Sequence, residues 1–414
     1  DEYKVMGLAP YGEPVYLGKM RKIIHLNRNG RFKLNLEYFI HYTEDVAMKW
    51  EGGEPHIPPL FSQKLVELLG PARKSGEDIN ERHKNIASSL QAIYEEAFFN
   101  LLHSVYEKSR VRTLCLAGGC AMNSVANGKI IDKTPFEEVY IPPAAGDAGG
   151  AIGAAFHVWH TVLKQPRSFV LENPYLGPSF SDYEIKKVIG NHESLSQKNG
   201  YFIEKFEDRK RLCQKAARFI SDGKVIGWFQ GKMEWGSRAL GNRSILGDPR
   251  CAKMKDVLNS SIKLRESYRP FAPSILLEKT GDYFGIDYPD PFMMKVYPVR
   301  FEMQTVIPAV THVDGTGRLQ TVRRKDNQLY WQLIKEFEKL TGVPVILNTS
   351  FNENEPIVCT PGEALDCLLR TKMDVLVMGK YMIRRSNGKK TEKLQTGMLR
   401  TDQYPDNDEK LYSN

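Results

Sequence analysis

The chain has 414 residues, of which 41% are hydrophobic and 26% are charged, and its formal net charge is +8. At roughly 150 residues per domain, this length predicts two or three domains, and the composition excludes collagen-like, coiled-coil and wholly disordered chains. No stretch reaches the ~18 uninterrupted apolar residues of a membrane-spanning helix, since His157 and His160 interrupt the longest candidate. We therefore expect no association with a membrane.

The first part of the chain alternates predicted helices and strands. Apolar residues recur every three or four positions and predict an amphipathic helix over 79–109; they are Ile86, Leu90, Ile93, Ala97 and Leu101. The next predicted elements are a strand over 113–116, a helix from about 120, a strand over 138–141 and a helix of small residues ending near 163. Such alternation, with glycine-rich turns between the elements, is typical of an α/β domain.

A proline-rich stretch over 165–178 predicts a domain boundary near residue 170. The later predicted elements are a helix over 209–222, a strand over 224–229, a strand-like segment over 292–299, a helix over 327–340, a strand over 343–347, a helix over 361–370 and a strand over 374–378. We therefore predict two α/β domains, 1–170 and 171–385. The polar residues 386–414 contain few apolar anchors and are predicted to be disordered.

The cysteines predict a reducing compartment. They are few, none forms a C-x-x-C pair, and several have apolar neighbours; the six are Cys115, Cys120, Cys213, Cys251, Cys359 and Cys367. This pattern is typical of small buried hydrophobic residues rather than of a disulfide framework or a zinc site. We expect a cytoplasmic protein.

Two glycine turns are candidate ligand sites. Gly118 and Gly119 lie between a predicted strand and a helix, where bare backbone amides can approach a phosphate, and Asn123 follows one turn later. The motif is neither Walker A nor G-x-G-x-x-G, and a tight turn with glycines for packing remains the alternative. In the second turn, Asp147 follows Gly146. Its carboxylate could cap the next helix or hold a cation beside a phosphate, and the sequence leaves both open.

A basic window over 232–269 is the third candidate site. It contains nine basic and four acidic residues, an excess that attracts phosphate. Arginine offers a planar fork suited to phosphate, and lysine acts as a mobile point charge. Several such groups converging on one small, dense anion would suit a carbamoyl or acyl phosphate, whereas a solvated basic face is the alternative.

Two further segments are expected to close on the same pocket. They are 312–318 (HVDGTGR) and 348–352 (NTSFN), the second directly after a predicted buried strand. The ends of such strands commonly carry the ligand sites of α/β folds. A turn with self-capping side chains is the alternative for 348–352. His157 and His160 could share a helix face, but without an acidic companion packing is favoured over metal binding.

The combined motifs resemble the NodU/CmcH family of O-carbamoyltransferases. They are 4–12 (KVMGLAPYG), the two glycine turns, 238–244 (RALGNRS), 269–274 (RPFAPS) and 347–352 (LNTSFN). The resemblance runs from Lys4 to about Arg385. It implies an α/β fold in which an incomplete actin-like ATPase domain of the ASKHA type precedes a YrdC-like domain.

The resemblance also implies a reaction. The YrdC-like domain would form carbamoyladenylate from carbamoyl phosphate and ATP. The actin-like domain would then pass the carbamoyl group to a hydroxyl of a sugar or natural-product acceptor. Mg²⁺ would accompany ATP, and a divalent metal, with Fe²⁺ suspected, would lie in the transfer site. No nucleic-acid partner is expected, and a homodimer is possible.

The resemblance assigns roles to individual residues. The implied catalytic residues, which would line the carbamoyl phosphate and nucleotide pocket, are Arg238, Lys263, Arg269, Arg318, Asn348 and Ser350. The implied cofactor-binding residues are Gly118, Gly119, Asn123, Gly146, Gly149, Arg243 and Asn352. Asp147 is the implied metal ligand.

One departure from the family limits what we expect of this chain. The family begins with a further segment that carries phosphate-binding strands and a histidine pair, and no H-x-x-x-H occurs here. We expect the chain to correspond to about the C-terminal two-thirds of such an enzyme, with impaired acceptor transfer. The alternatives are a tRNA threonylcarbamoyladenosine-type modification enzyme, for which RNA binding would fall steeply with salt, and a non-catalytic nucleotide-binding fragment.

Overall fold

The computed structural model describes residues 2–44, 46–51, 54–74, 76–196 and 199–385. The described chain forms two compact units that separate between residues 108 and 109. The predicted domain division near residue 170 stays a prediction. The predicted disordered tail, 386–414, lies outside the described residues.

The first unit is built along one long helix. Its helices are α1 (Glu2–Leu8), α2 (Leu17–Ile23), α3 (Gln63–Leu69) and α4 (Glu81–Ser109), and its antiparallel strand pairs are β1 (Ile24–Leu26) with β2 (Phe32–Leu34) and β3 (Lys49–Glu51) with β4 (Glu54–His56). α4 confirms the predicted helix over 79–109 and buries Ile93, Phe98 and Leu102. Its Ser89 hydroxyl accepts a hydrogen bond from the backbone N–H of Tyr16 at 3.0 Å. Polar side chains of α4 thus hold the preceding segment in place.

The second unit begins with the two glycine turns. Its first elements are β5 (Thr113–Cys115), α5 (Ser124–Gly128), α6 (Ile130–Lys133), β6 (Glu138–Tyr140) and α7 (Gly149–Phe156), which continues as a π-helix over His157–Val162. β5 and β6 are parallel, with Thr113 opposite Glu138. Both predicted strands are confirmed. The helix predicted from about 120 begins as a 3₁₀ turn, Gly119–Met122, because Asn123 then caps α5.

A mixed eight-stranded sheet dominates the second unit. The remaining strands are β7 (Tyr201–Lys205), β8 (Ile226–Phe229), β9 (Arg243–Gly247), β10 (Ala272–Leu276), β11 (Val296–Pro298), β12 (Thr316–Arg318), β13 (Gln320–Val322), β14 (Val345–Ser350), β15 (Val375–Met378) and β16 (Tyr381–Arg385). The strand order of the large sheet is β13-β10-β14-β9-β8-β15-β16-β7, and β11 pairs separately with β12. β10 with β13 and β8 with β15 are parallel, and the other pairs of the sheet are antiparallel.

Helices and connecting turns complete the second unit. They are α8 (Asp182–Gly190), α9 (Arg209–Ser221), α10 (Met254–Ser261), α11 (Thr280–Phe284), α12 (Phe301–Gln304), α13 (Gln328–Thr341) and α14 (Pro361–Arg370). α14 matches its prediction, since Pro361 starts it and Thr360 and Glu363 form a capping box. The mixed sheet with its helices confirms the predicted α/β class.

The core of the second unit joins its early and late segments. The large cluster lies between the sheet and helices such as α9, α13 and α14, with Trp228, Ile245 and Leu347 fully buried. A smaller cluster packs Ala121, Ile141 and Ala145 of the glycine-turn region against later residues that include Leu240 and Phe292. Burying these apolar surfaces gains a free energy of about 25 cal/mol per Å². This packing holds the glycine turns beside the loop that precedes β9.

Several strands were not predicted, among them β9, β10 and β16, and one predicted strand was too long. β9 begins with Arg243 and Ser244, and β10 contains Pro273, so neither has the usual composition of a strand. The parallel ladder with β13 begins at Ser274, beyond the proline. The short β16 was also missed. Of the strand-like segment predicted over 292–299, only Val296–Pro298 is a strand.

Candidate functional site: an arginine cluster

Four arginines from three segments form a cluster in the second unit. Burial, and then the positive charges of Arg238, Arg265 and Arg269, lower the pKa of Arg318 well below its usual value. Because the interaction between charges weakens with distance, the four guanidinium groups lie near one another. We call Arg238, Arg265, Arg269 and Arg318 the arginine cluster. The structure thus brings together three of the predicted catalytic residues.

The cluster has unused donors. The Nε atoms of Arg238 and Arg318 are buried, and neither has a hydrogen-bond partner among the described residues. Burial lowers the pKa of Arg238 to about 10, so its guanidinium stays charged at neutral pH. A buried donor without an acceptor costs free energy, and so does an unpaired buried charge. Binding of an anion would relieve both costs.

Side-chain contacts orient two members of the arginine cluster. Arg269 pairs with Glu266 at 3.6 Å. Arg265 instead donates to the neutral amide oxygen of Asn259 at 2.8 Å, and its guanidinium carbon lies 4.9 Å from the centre of the Phe271 ring. These contacts orient the Arg265 guanidinium. The arrangement suits a ligand with several phosphate oxygens, which guanidinium groups bind in a bidentate manner.

Lys263 lies beside the cluster and is held by the loop after β14. Its Nζ donates to the carbonyl oxygens of Ser350 (2.6 Å) and Asn352 (2.8 Å), and it lies 2.5 Å from the amide oxygen of Asn352. The Ser350 hydroxyl donates to the same amide oxygen at 2.8 Å. Burial, and then the charges of Arg265 and Arg269, lower the pKa of Lys263 to about 7. Three predicted residues, Lys263, Ser350 and Asn352, therefore form one hydrogen-bonded group.

A strained residue separates Lys263 from Arg265. Leu264 has φ +43°, a left-handed conformation that branched side chains rarely adopt, and its side chain is exposed. Of the two residues that flank Leu264, Lys263 is 1% exposed and Arg265 belongs to the arginine cluster. Backbone strain of this kind is typical of functional sites.

Two further predicted residues are buried and donate to backbone carbonyl groups of the protein. Asn348 is 1% exposed, and its amide donates to the carbonyl oxygen of Ala239 at 3.1 Å, beneath the loop that carries Arg238. Arg243 is 0% exposed. Its Nη1 donates to the carbonyl oxygen of Gln230 at 2.6 Å, and its guanidinium stacks 3.7 Å from the centre of the Phe229 ring.

The glycine turns are joined to each other. The N–H of Gly118 donates to the carbonyl oxygen of Ala145 at 2.7 Å, and the side chain of Asn123 caps α5 by accepting from Ala126 at 3.1 Å. The N–H of Gly149 donates to the carbonyl oxygen of Gly146 at 3.0 Å. A side chain at Gly119 would meet no heavy atom within 4 Å. The backbone at Gly119 therefore borders open space.

Around Asp147, the described residues do not form a complete metal site. Its side chain is exposed in the turn before α7. Within the part of the chain that the structure describes, no group of three or more His, Cys, Asp or Glu side chains is arranged to hold a metal ion. Those residues therefore do not supply a complete ligand set around Asp147. Its metal-binding role stays a prediction.

Sequence reasoning did not assign a role to Arg265 or to His312. Arg265 lies within the basic window, and His312 starts a loop that was expected to close on the pocket. Nδ1 of His312 lies 3.1 Å from the Thr316 hydroxyl, and burial, with the charges of Arg318 and Lys255, lowers the pKa of His312 to about 4 despite Asp314. The basic window and the loop motif were the signals that could have identified them.

Two family models match the chain. A model described as the carbamoyltransferase N-terminus matches residues 1–156, and one described as the carbamoyltransferase C-terminus matches residues 217–385. The second match covers most of the large sheet and the whole arginine cluster. Within the described residues, no helix is both long and apolar enough to cross a bilayer.

Curated proteins are similar over nearly all of the chain. The uncharacterized protein sll1178 of Synechocystis sp. is 42% identical over 93% of this chain and 64% of the relative. Nodulation protein NolNO of Sinorhizobium fredii is 40% identical over 93% of this chain and 53% of the relative. Nodulation protein NolO of Bradyrhizobium diazoefficiens is 38% identical over 93% and 66%. The chain thus spans about half to two-thirds of the length of these relatives.

Proposed function

Because the chain belongs to the carbamoyltransferase family, we propose that it takes part in ATP-dependent O-carbamoylation. Its second unit would form carbamoyladenylate from carbamoyl phosphate and ATP, and the carbamoyl group would pass to a hydroxyl of a sugar or natural product. The observation that carries this proposal is the arginine cluster, with buried Nε donors on Arg238 and Arg318. We further propose a YrdC-like fold for the large sheet and an actin-like fold for the region of the glycine turns.

The proposed first step brings several negatively charged phosphate groups together. Carbamoyl phosphate, ATP and water would give carbamoyladenylate, pyrophosphate and phosphate. Charge grows on the leaving phosphate oxygens, where fixed guanidinium groups stabilise a transition state most effectively. Arg238, Arg269 and Arg318 would bind those oxygens, and Arg265 would add to the local positive potential.

Lys263 would act as a positioned point charge. Its contacts with Ser350 and Asn352 fix the ammonium group beside the cluster. A pKa near 7 in the free chain means that a bound phosphate would draw a proton onto Lys263. Lys263 would then become fully charged only when the anion is bound. The free chain would therefore not bear the full cost of burying a charged lysine.

The transfer step needs a second region. The acceptor hydroxyl would attack the carbamoyl carbon of carbamoyladenylate, its proton would pass to a base, and AMP would leave. The open backbone at Gly119 gives the adenylate a place to approach the glycine turns closely. Positioning of the two reactants would supply much of the rate.

Pyrophosphate release that depends on both ATP and carbamoyl phosphate tests the first step. We expect release by the wild-type chain and a loss of about 100-fold or more in Arg238→Ala, since guanidinium contacts strengthen in the transition state. Arg211→Ala removes an exposed arginine of α9 and serves as the matched control. Equal rates in Arg238→Ala and wild type, or release without carbamoyl phosphate, would contradict the proposal.

A further inference from the structure

The loop that carries Arg238 is held by a buried carboxylate. Glu234 is 5% exposed, and its Oε1 accepts hydrogen bonds from the backbone N–H groups of Leu240 (2.7 Å), Asn242 (2.7 Å) and Arg243 (3.2 Å). One carboxylate oxygen thus satisfies three donors of the segment 236–243. The segment has no helix or strand of its own before β9, so these bonds replace a regular backbone ladder.

Two buried amides hold the carbonyl groups of the same loop. Asn348 donates to the carbonyl oxygen of Ala239 at 3.1 Å, and Gln320 donates to that of Leu240 at 2.8 Å. The two amides are linked at 3.1 Å, since Asn348 also donates to the side-chain oxygen of Gln320. The Tyr175 hydroxyl also donates to the Leu240 carbonyl oxygen, at 2.8 Å. Both N–H groups and carbonyl groups of the loop backbone are therefore hydrogen-bonded to buried side chains.

Stability alone does not explain why this network is polar. Glu234, Gln320 and Asn348 are 5%, 2% and 1% exposed, and burial raises the pKa of Glu234 even though backbone N–H groups and Arg243 oppose this. Buried polar networks generally do no better than an apolar core of the same volume in stability, but they can select one conformation. The conformation selected here is that of residues 238–243. Within this loop, Arg238 is the residue that belongs to the arginine cluster.

We propose that Glu234, Gln320 and Asn348 are positioning residues that act through Arg238. They hold the loop so that the Arg238 guanidinium stays in the arginine cluster and meets the ligand without reorganisation. Asn348 would accordingly act on the loop and not on the ligand. The role rests on the proposed function, in which the cluster binds phosphate groups. Fixed geometry matters here because a side chain displaced by about 1 Å loses much of its effect.

A double-mutant cycle separates positioning from general support of the fold. The four full-length proteins are wild type, Glu234→Ala, Arg238→Ala and the double variant, and the measured quantity is the affinity for inorganic pyrophosphate by calorimetry. We expect each single change to weaken binding by about tenfold or more, and the double variant to bind as Arg238→Ala does. Multiplicative losses in the double variant would overturn the proposal, because Glu234 would then act independently of Arg238.

Two further variants control for shape and for stability. Glu234→Gln keeps the Oε1 acceptor. Its amide nitrogen replaces Oε2, an atom that has no hydrogen-bond partner among the described residues. It should retain wild-type affinity to within about threefold. Leu212→Ala removes a buried apolar side chain of α9, and as an apolar group it contributes no hydrogen bond to the loop. A fall in melting temperature without a loss of affinity is expected for it.

The remaining outcomes are also decisive. If Glu234→Ala does not fold, Gln320→Leu enters the same cycle, because Tyr175 still binds the Leu240 carbonyl. If the wild type binds pyrophosphate but releases none from ATP and carbamoyl phosphate, the proposed function fails while the cycle still decides the positioning role. If the wild type does not bind pyrophosphate, the loop presents no anion site and the positioning role is overturned.

Discussion

The Nζ atom of Lys263 lies 2.6 Å from the carbonyl oxygen of Ser350 and 3.0 Å from its hydroxyl oxygen. The two residues are far apart in the chain, and the pairing of β14 with β9 and β10 fixes the position of Ser350. Lys263 thereby contacts neutral acceptors of this segment, and the charges of Arg265 and Arg269 also act on it. Burial and the charges of Arg265 and Arg269 lower its pKa from 10.5 to about 7.

This depressed pKa predicts a pH dependence of stability. Between pH 7 and 10, Lys263 holds a proton in the unfolded chain that it has released in the folded chain. The free energy of unfolding therefore gains a term that increases with pH across this range. Urea unfolding of wild type and Lys263→Met at pH 7 and pH 9 should show wild type gaining stability relative to the variant at the higher pH. Lys210→Met, an exposed change on α9, is the control, and a relative loss at pH 9 would contradict the prediction.

Arg318→Met is predicted to stabilise the chain and to impair ligand binding. Three other guanidinium charges act on Arg318, and its Nε has no hydrogen-bond partner among the described residues. Removing one of four like charges should raise the free energy of unfolding by about 1 kcal/mol in the absence of ligand. Pyrophosphate affinity should fall by about tenfold or more. Thermal unfolding with and without pyrophosphate measures both effects, and Arg211→Met is the control. A less stable variant with unchanged affinity would be inconsistent with an anion-binding cluster.

Arg243→Met is predicted to act mainly on stability. The guanidinium donates to the carbonyl oxygens of Gln230 (2.6 Å) and Pro178 (3.2 Å) and stacks on Phe229. Its loss leaves buried acceptors unpaired, at a cost of about 3 kcal/mol. Denaturant unfolding measures this cost, and Arg218→Met, a change at an exposed ion pair with Asp222, should cost below about 1 kcal/mol. A variant of wild-type stability with a raised KM for ATP would instead support the cofactor-binding role implied by the family.

Periodic and capped elements could be predicted from the sequence. α9 and α13 have amphipathic patterns, α14 has its proline and capping box, and β8 and β15 are continuous apolar runs. β9 could not be predicted, because its first residue is an arginine whose charge is accommodated by carbonyl groups from distant segments. Local patterns carry no information on such partners.

The candidate site could be predicted only in part. Arginine and lysine in loops indicate anion binding, so Arg238, Lys263 and Arg318 were identifiable as candidates. Glu234 was not identifiable, because its carboxylate accepts hydrogen bonds from backbone N–H groups of a folded loop. In the sequence, such a glutamate cannot be told from one on the surface. Gln320 was missed for the same reason: its role depends on the neighbouring strand and loop, which only the folded chain brings together.

Gly236→Ala tests whether the second glycine turn supports the Arg238 loop. Gly236 has φ +120°, and a Cβ there would lie 2.2 Å from the carbonyl oxygen of Pro143. Gly223 also has a positive φ, +78°, but a Cβ there would meet no heavy atom within 4 Å. Gly223→Ala therefore measures backbone strain alone, about 1 kcal/mol. Because its methyl group must push the two loops apart, Gly236→Ala should lose more stability than this and also weaken pyrophosphate binding, as calorimetry and urea unfolding would measure. Equal losses of stability in the two variants, with full pyrophosphate affinity in both, would mean that the loops do not depend on each other.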